Sequence, residues 1–241
     1  MEQHHAAALD HAISAARFDT FLRVADGDRE RARKLYVWDR DLASAILADL
    51  AIVEVALRNA VNEALTAMYG SEWYRHEIGL DDRLRRQLAQ AWRRLPRDRH
   101  DPGHVVAQLM FGFWTDILDA GGTVGALPQQ WPARHEELWR GGLRRAFPGG
   151  RAEAERTAGR FTRHWVHQQV QLVHTLRNRA AHHEPLLGGI PRPGQRQAAV
   201  PRFSAQEGHD GYLLVLRLID RDLAEWVAQQ SAVPAVIAAA P

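Results

Sequence analysis

Residues 50–65 read LAIVEVALRNAVNEAL, and this stretch is the best guide to the fold because apolar side chains run through it almost without interruption. A helix that is apolar nearly all round is typical of a buried element rather than a surface one. The helical pattern extends back to Asp28, a suitable N-cap, and forward to Tyr69, just before Gly70. We therefore expect a long helix over about 28–70 at the centre of the fold.

Helical patterns also fill most of the remaining chain, and the alternation typical of strands is nearly absent. They predict helices at about 81–95, 102–120, 133–147, 151–183 and 212–230, with Gly/Pro-rich loops at 121–132 and 185–210 and a short apolar tail from Pro234. A chain of 241 residues can bury a substantial core. We expect one all-α domain over 1–241, with core helices at about 28–70 and 150–184.

The composition limits the possible classes of protein. The chain has no cysteine, which excludes disulfides and thiolate metal sites. No stretch approaches about 18 consecutive apolar residues, and residues 1–10 lack the basic and apolar regions of a signal peptide. We therefore expect a cytoplasmic protein that does not enter a membrane.

The positive charge of the chain is carried by arginine and is unevenly placed. The net charge is only +2, but Lys34 is the single lysine. Residues 131–203 contain 13 arginines against five acidic residues. Coding bias toward GC-rich codons would explain the choice of arginine. Since arginine also binds phosphate through two parallel N–H groups, the local excess is compatible with a nucleic-acid partner.

The functional residues that we single out lie in the stretch 176–185, which reads LRNRAAHHEP. Pro185 disfavours the α conformation at the residue before it, so the helix should end near Glu184 and His182 should lie in its last turn. Unpaired carbonyls and the helix dipole favour a protonated imidazole there. An imidazole that titrates near neutrality beside a permanent cation suits chemistry on a phosphodiester.

The spacing within this motif suggests half of a site. Asn178 and His182 are four residues apart and share a helix face, whereas Arg177 lies roughly 140° around the axis from His182. One helix therefore does not aim Arg177 and His182 in one direction. Two-fold packing of two such helices would bring two arginines and two histidines to one groove. The competing interpretation is an Arg/His pair that only caps the helix end and faces solvent.

The motif resembles a known family. Arg177-x-x-x-x-His182, with Asn178 after the arginine, is similar to the R-x4-6-H signature of HEPN domains. The longer form LRNRAAHHEP resembles abortive-infection (Abi-like) proteins, which are bacterial phage-defence proteins with a HEPN core. Three further stretches resemble the same family, namely EVALRN at 54–59, FGFW at 111–114 and LRRAFP at 143–148. The resemblance therefore covers most of the chain.

This resemblance implies a HEPN-like helical bundle with additional helices that forms a homodimer through the motif helices. It also implies a metal-independent endoribonuclease site shared between the two protomers, without a cofactor. Arg177 would bind the scissile phosphate, His182 would act as general acid or base, and Asn178 would orient His182 or the phosphate. RNA is then the implied substrate, and an antitoxin or a phage-derived trigger is an implied partner. The alternative is a catalytically silent HEPN dimer that binds RNA or a protein.

Five further residues are candidates for supporting the site or binding RNA, and they are Glu54, Arg58, Asn59, Arg179 and His183. Glu54 and Arg58 are four residues apart in the order that favours an ion pair. That pair could be an internal salt bridge, could face the motif helix, or both. His183 points about 100° away from His182, so its role stays open.

A stripe of histidines and the tryptophans bear on two further possibilities, metal binding and base stacking. His164, His167, His174 and His182 follow roughly one stripe of the predicted helix, but they lack the paired spacing and nearby acid of a zinc-binding helix. We therefore expect no metal. Tryptophans such as Trp114, Trp139 and Trp165 could stack on bases, although core packing is the simpler interpretation of their helical spacing.

Overall fold

The computed structural model describes residues 8–194 and 201–241, and these residues are predominantly helical, which confirms the all-α class. After helical residues 8–12, the helices are α1 (Ala15–Val24), α2 (Arg29–Tyr69), α3 (Asp82–Arg94), α4 (Pro102–Gln108), α5 (Phe111–Asp116), α6 (His135–Gly141), α7 (Gly150–Arg156), α8 (Arg163–Ala181), α9 (Ala205–Ile219), α10 (Arg221–Gln230) and α11 (Val233–Ala238). Short 3-10 turns cover Trp73–Arg75, Arg97–Arg99 and Leu143–Ala146.

The two predicted loops contain short antiparallel strand pairs. In the first loop, β1 (Thr123–Val124) pairs with β2 (Trp131–Pro132). In the second, β3 (Ile190–Pro191) pairs with β4 (Arg202–Phe203), with Ile190 opposite Phe203. Residues 195–200 of the second loop lie outside the described part of the chain, as do residues 1–7 of the segment tested for a signal peptide.

The chain divides into two compact units. The first unit comprises residues up to 49, residues 175–209 and residues from 230 onward, while the second comprises residues 50–174 and 210–229. The motif residues from Arg177 to His183 therefore belong to the first unit. Glu54, Arg58 and Asn59 belong to the second.

Helix α2 begins and ends where its local sequence predicts. The Oδ1 atom of Asp28 accepts hydrogen bonds from the amides of Glu30 and Arg31 at 2.9 and 3.1 Å, which satisfies two of the unpaired donors at the helix start. Gly70 ends the helix with a φ of +85°, a conformation that favours glycine. The predicted long helix is confirmed.

The prediction that residues 50–65 are buried on all sides is wrong. One face is buried, and its residues are Leu50, Val53, Leu57, Val61, Ala64 and Leu65. The opposite face is exposed at Ala51, Val55, Asn59 and Glu63. Val55, for example, is 42% exposed. The stretch is an amphipathic helix whose solvent side also carries small and β-branched apolar residues.

The core of the second unit is rich in aromatic rings. Trp73 and Trp114 are fully buried, with ring centroids 6.3 Å apart and their planes at 67° to each other. The indole Nε1 of Trp73 donates to Asn62 at 2.9 Å, so the polar end of that ring is satisfied. Trp139 is also buried. Core packing is therefore confirmed for Trp114 and Trp139, whereas Trp165 is half-buried.

The predicted helix over 151–183 is wrong, because it consists of α7 and α8 separated by residues 157–162. Ala158 ends α7 with a φ of +54°. Gly159 follows, and a Cβ atom at Gly159 would lie 2.9 Å from the indole Nε1 of Trp165. Close packing at Gly159 therefore fixes a turn that the sequence pattern does not indicate.

Three other helices have different bounds from those predicted. The stretch 102–120 is interrupted between α4 and α5, and the stretch 133–147 is α6 followed by a 3-10 turn. The carboxy-terminal stretch begins at Ala205 rather than at 212 and is divided at Asp220, whose Oδ1 atom accepts from the amide of Leu223 at 3.0 Å. Asp220 thus caps α10. The apolar tail around Pro234 forms α11.

Within residues 8–194 and 201–241, no helix combines the length and the apolar character that a membrane crossing needs.

Candidate functional site at the end of helix α8

The motif helix is anchored in the first unit by its apolar side. Leu176 and Ala180 are fully buried. A Cβ atom at Gly208 would lie 2.8 Å from the Cδ2 atom of Leu176, so the backbone of α9 approaches this side of α8 closely. Arg177, Asn178 and Arg179 are half-buried on the remaining surface. This packing fixes the direction in which the polar residues of the motif leave the helix.

Helix α8 ends in a well-formed C-terminal hydrogen-bond pattern. The amide of Glu184 donates to the carbonyl of Arg179 at 2.9 Å, and the amide of His183 donates to the carbonyl of Ala180 at 3.1 Å. His183 has a φ of +54°, so it takes the left-handed position that glycine fills in most helix ends of this kind. The helix ends at Ala181, slightly earlier than predicted, and His182 follows it directly.

The side chain of His182 is exposed, and within the described part of the chain its imidazole makes no hydrogen bond or ion pair. Its backbone is nonetheless held, because the His182 amide donates to the carbonyl of Asn178 at 2.9 Å. The imidazole is therefore presented to solvent from a fixed point. His183 is exposed as well.

Arg177 and Asn178 are in contact with each other. The Nη1 atom of Arg177 lies 3.4 Å from the Oδ1 atom of Asn178, at the long end of the hydrogen-bond range. Both side chains are half-buried. The structure thus brings together the arginine and the carboxamide of the motif, while His182 lies just beyond the last residue of α8.

Arg179 is bound to the turn that follows the helix. Its Nη2 atom donates to the carbonyl of Pro185 at 3.0 Å, and its Nη1 atom lies 3.1 Å from the carboxylate of Glu184. Burial lowers the pKa of Arg179 from its ordinary value. These contacts make Arg179 a residue that shapes the turn after His183.

Asp39 on α2, which is not among the site residues predicted from the sequence, also holds this turn. Its Oδ1 atom accepts hydrogen bonds from the amides of Leu186 and Leu187 at 2.9 and 2.8 Å. Asp39 is only 7% exposed. Burial raises the pKa of Asp39 above its ordinary value, although the two backbone hydrogen bonds act in the opposite direction. The available signal was an acid within a buried apolar stripe that includes Leu35, Leu42 and Ile46.

The residues proposed to support the motif from α2 lie in the second unit. Glu54 and Arg58 are half-buried, and Asn59 is exposed. The Nε atom of Arg58 lies 3.4 Å from the Oδ1 atom of its neighbour Asn59. Whether Glu54, Arg58 and Asn59 serve the motif stays a prediction.

A separate polar cluster in the second unit has the spacing of metal ligands. In the described residues, Asp81, Asp119 and His135 form the one group of three such side chains whose ligand atoms lie within 4.8 Å of one another. Arg83 binds both carboxylates, with its Nη2 atom 3.2 Å from Asp81 and 2.6 Å from Asp119. The guanidinium already supplies the positive charge that a cation would bring.

The hydrogen bonds of this cluster are internal to the fold. Asp81 caps α3 through the amide of Leu84 at 2.8 Å, and His135 is fully buried with its Nδ1 atom 3.2 Å from Asp119. Burial raises the pKa of Asp119, but hydrogen bonds from His135 and Arg83 outweigh that effect and hold it well below its ordinary value. The cluster therefore joins α3, α5 and α6 structurally.

The histidines of α8 do not assemble a metal site among the described residues. His174 stacks on Phe111 with ring centroids 5.3 Å apart. His167 is half-buried, and burial lowers its pKa. His164 is exposed.

The chain matches no protein-family model, no curated protein and no solved structure. The residues of the sequence motif lie at the end of α8. There, a fixed backbone presents an exposed imidazole five residues after a half-buried guanidinium. These are groups that can move a proton and bind a phosphate, respectively.

Proposed function

We propose that this protein is a metal-independent endoribonuclease of the HEPN type that acts as a homodimer in phage defence or in a toxin-like system. The observation that carries the proposal is the placement of His182. Its imidazole is exposed at the end of α8, while its backbone is fixed by a complete C-terminal hydrogen-bond pattern. A general acid or base needs both access to its substrate and a defined position.

The proposed reaction uses the 2′-hydroxyl of the RNA as the nucleophile. His182 removes the proton of this hydroxyl, and the 2′-oxygen forms a bond to phosphorus as the bond to the 5′-oxygen breaks. His182 of the partner subunit gives a proton to the departing 5′-oxygen. Arg177 binds the non-bridging oxygens, where negative charge increases in the transition state. The products are a 2′,3′-cyclic phosphate and a 5′-hydroxyl, and no metal takes part.

The need for a partner subunit follows from the helix geometry. Arg177 lies in α8 and His182 directly follows its last residue, and positions five apart on an ideal helix differ by roughly 140°, so one copy of this helix end does not direct both at one phosphate. Asn178 lies beside Arg177 and can help to position the phosphate. A second copy of α8 related by two-fold symmetry would bring the histidine of one chain toward the arginine of the other.

A second function, that of a catalytically silent dimer which binds RNA or a protein, is favoured by a different observation. Within the described residues, the imidazole of His182 has no hydrogen-bond partner that would fix its tautomer. Catalytic imidazoles are commonly oriented by such a partner. In the nuclease this orientation would have to come from the partner subunit or from the RNA.

Expression of the protein beside matched variants separates the two functions. If the protein is a nuclease, we expect loss of RNA in cells that produce the wild type and intact RNA in cells that produce His182→Ala or Arg177→Ala. Arg177→Lys should also be impaired, because lysine keeps the charge but loses the two-pronged contact with phosphate. His164→Ala is the control, since His164 is an exposed histidine on the same helix.

The purified protein gives a second test of the same proposal. Cleavage should resist EDTA, and the fragments should end in 2′,3′-cyclic phosphates. If the wild type leaves RNA intact under every phage or stress condition and its variants behave identically, the nuclease proposal is wrong and the binding module remains. Such conditions would also reveal a phage-derived trigger or an antitoxin that controls the site.

A further inference from the structure

Four arginines of the second unit surround a cavity of about 720 Å³, and they are Arg144, Arg145, Arg151 and Arg160. Arg144 and Arg145 lie on the 3-10 turn after α6, Arg151 lies on α7, and Arg160 lies in the turn before α8. The volume is in the range of pockets that bind small ligands. Part of this wall is the LRRAFP stretch, which the proposed nuclease chemistry does not use.

Among the described residues, no carboxylate forms an ion pair with any of the four guanidinium groups. Each of these side chains is exposed, and none forms an ion pair or a side-chain hydrogen bond with another residue of the described chain. Nearby arginines behave differently, since Arg156 and Arg217 both bind Glu153 at 2.7 and 3.2 Å. Several like charges gathered at a concave surface create a potential that attracts anions.

Close backbone packing fixes the shape of the cavity wall. A Cβ atom at Gly149 would overlap the carbonyl oxygen of Arg217, and one at Gly150 would overlap the ring of Phe161. These contacts leave no room for the backbone at 149–150 to shift inward. A wall that is already in place loses little conformational freedom when a ligand binds.

The cavity also has an aromatic side and an acidic group. Phe161 is half-buried and meets the buried ring of Trp139 edge to face, with centroids 5.4 Å apart. Both rings line the cavity, as does Glu155. Aromatic rings bind bases by stacking or by apolar contact, and a carboxylate accepts hydrogen bonds from exocyclic amino groups.

We propose that this cavity binds a nucleotide, with its phosphate among the four arginines and its base against Phe161. The same chemistry is offered by a free nucleotide and by one nucleotide of an RNA strand. The proposal goes beyond the nuclease function, because it requires neither Arg177 nor His182. Arginine suits the phosphate position since its planar group binds two phosphate oxygens at once.

The test measures binding to the full chain carrying His182→Ala, so that cleavage of RNA cannot interfere. The probes are AMP and inorganic phosphate, followed by calorimetry, and a short fluorescein-labelled oligoadenylate, followed by anisotropy. We expect AMP to bind more tightly than inorganic phosphate. Replacing Arg144 and Arg145 together by alanine should weaken AMP binding by roughly tenfold or more.

The matched control replaces Arg97 and Arg99 together by alanine. These arginines are exposed in the second unit and do not line the cavity. Their replacement removes the same amount of positive charge as the cavity variant does. The control should change AMP affinity by less than about twofold, because Arg97 and Arg99 do not line the cavity and exposed charges are screened by salt. Phe161→Leu should weaken AMP binding and leave phosphate binding unchanged, provided that thermal unfolding shows a folded protein.

The outcomes are distinct. The proposal is overturned if the cavity variant and the control variant weaken AMP binding to a similar extent. It is also overturned if AMP does not bind and the cavity variant leaves oligoadenylate binding unchanged. Equal affinity for AMP and inorganic phosphate would also overturn it. If the cavity variant weakens the binding of both AMP and the oligoadenylate, the relative affinities of the unsubstituted cavity identify the ligand. A much higher affinity for the oligoadenylate than for AMP assigns the site to an RNA strand, and equal affinities assign it to a free nucleotide.

Discussion

The Oδ1 atom of Asp39 lies 2.8 Å from the backbone nitrogen of Leu187, although 148 residues separate them along the chain. The same oxygen also accepts from the neighbouring amide at 2.9 Å. Asp39 therefore holds the segment that follows the motif helix within the first unit. The position of the turn after His182 depends on a residue that belongs to no recognisable motif.

Replacing Asp39 by alanine should destabilise the protein. Two backbone amides would lose their acceptor, and each buried unsatisfied group costs about 1–3 kcal/mol. We expect the free energy of unfolding to fall by about 2–4 kcal/mol, as measured by urea denaturation. Asp41→Ala is the control, because Asp41 is exposed and its one side-chain partner among the described residues is the exposed Arg40, at 2.7 Å. Its effect should stay within about 0.5 kcal/mol, and an equal loss for both variants would show that the two amides do not need Asp39.

Replacing His183 by glycine should stabilise the protein. His183 has a φ of +54°, where an L-residue with a side chain is disfavoured by about 1 kcal/mol relative to glycine. The midpoint of urea unfolding should therefore rise. Ala181→Gly, at the last residue of α8, should lower it by a similar amount because glycine is a poor helix former. Activity should survive in His183→Gly, and its loss would give the His183 ring a role in the site.

The stability contributed by Asp119 should depend on pH. Burial raises its pKa, but hydrogen bonds from His135 and Arg83 outweigh burial, so the folded-state pKa lies below the ordinary value of 3.8. The resulting stability is present above pH 3.8 and is lost as the pH falls through the folded-state pKa. The difference in unfolding free energy between wild type and Asp119→Asn should therefore shrink below about pH 4. A difference that is constant from neutral pH to pH 3 would contradict this account.

The caps of the helices could be predicted from sequence because they are local. Asp28 and Asp81 bind amides within three residues of themselves, and the side chains that follow them show helical spacing at once. Gly70 ends α2 through its own backbone conformation. Such features depend on a few adjacent residues, and those residues can be found in any single sequence.

The breaks inside predicted helices and the anchor of the motif turn depend on distant contacts. The turn between α7 and α8 contains no proline, and Gly159 is packed against Trp165. Asp39 meets Leu186 only when the chain has folded. For the site, the end of the motif helix could be predicted approximately, because Pro185 restricts the residue before it. The sequence did not indicate that Arg179 would bind Glu184 and the carbonyl of Pro185.

A dimer through the motif helices predicts a specific cross-link. Because the chain has no cysteine, His183→Cys introduces a single thiol beside the motif. A short bismaleimide should then join two subunits in solution, with cross-linked dimer visible on a denaturing gel. Ser71→Cys places the thiol at an exposed position after α2 and serves as the control. Equal yields from the two variants would argue against a dimer that meets at α8.

The central claim is that Arg177 and His182 form a complete nuclease site only when two subunits meet. The most direct measurement is the specific activity of the wild-type protein on RNA across a dilution series, with the fraction of dimer measured by ultracentrifugation in the same samples. We predict that specific activity falls in proportion to the dimer fraction and is restored when the protein is concentrated again. Full specific activity in samples that are almost entirely monomeric would contradict the account.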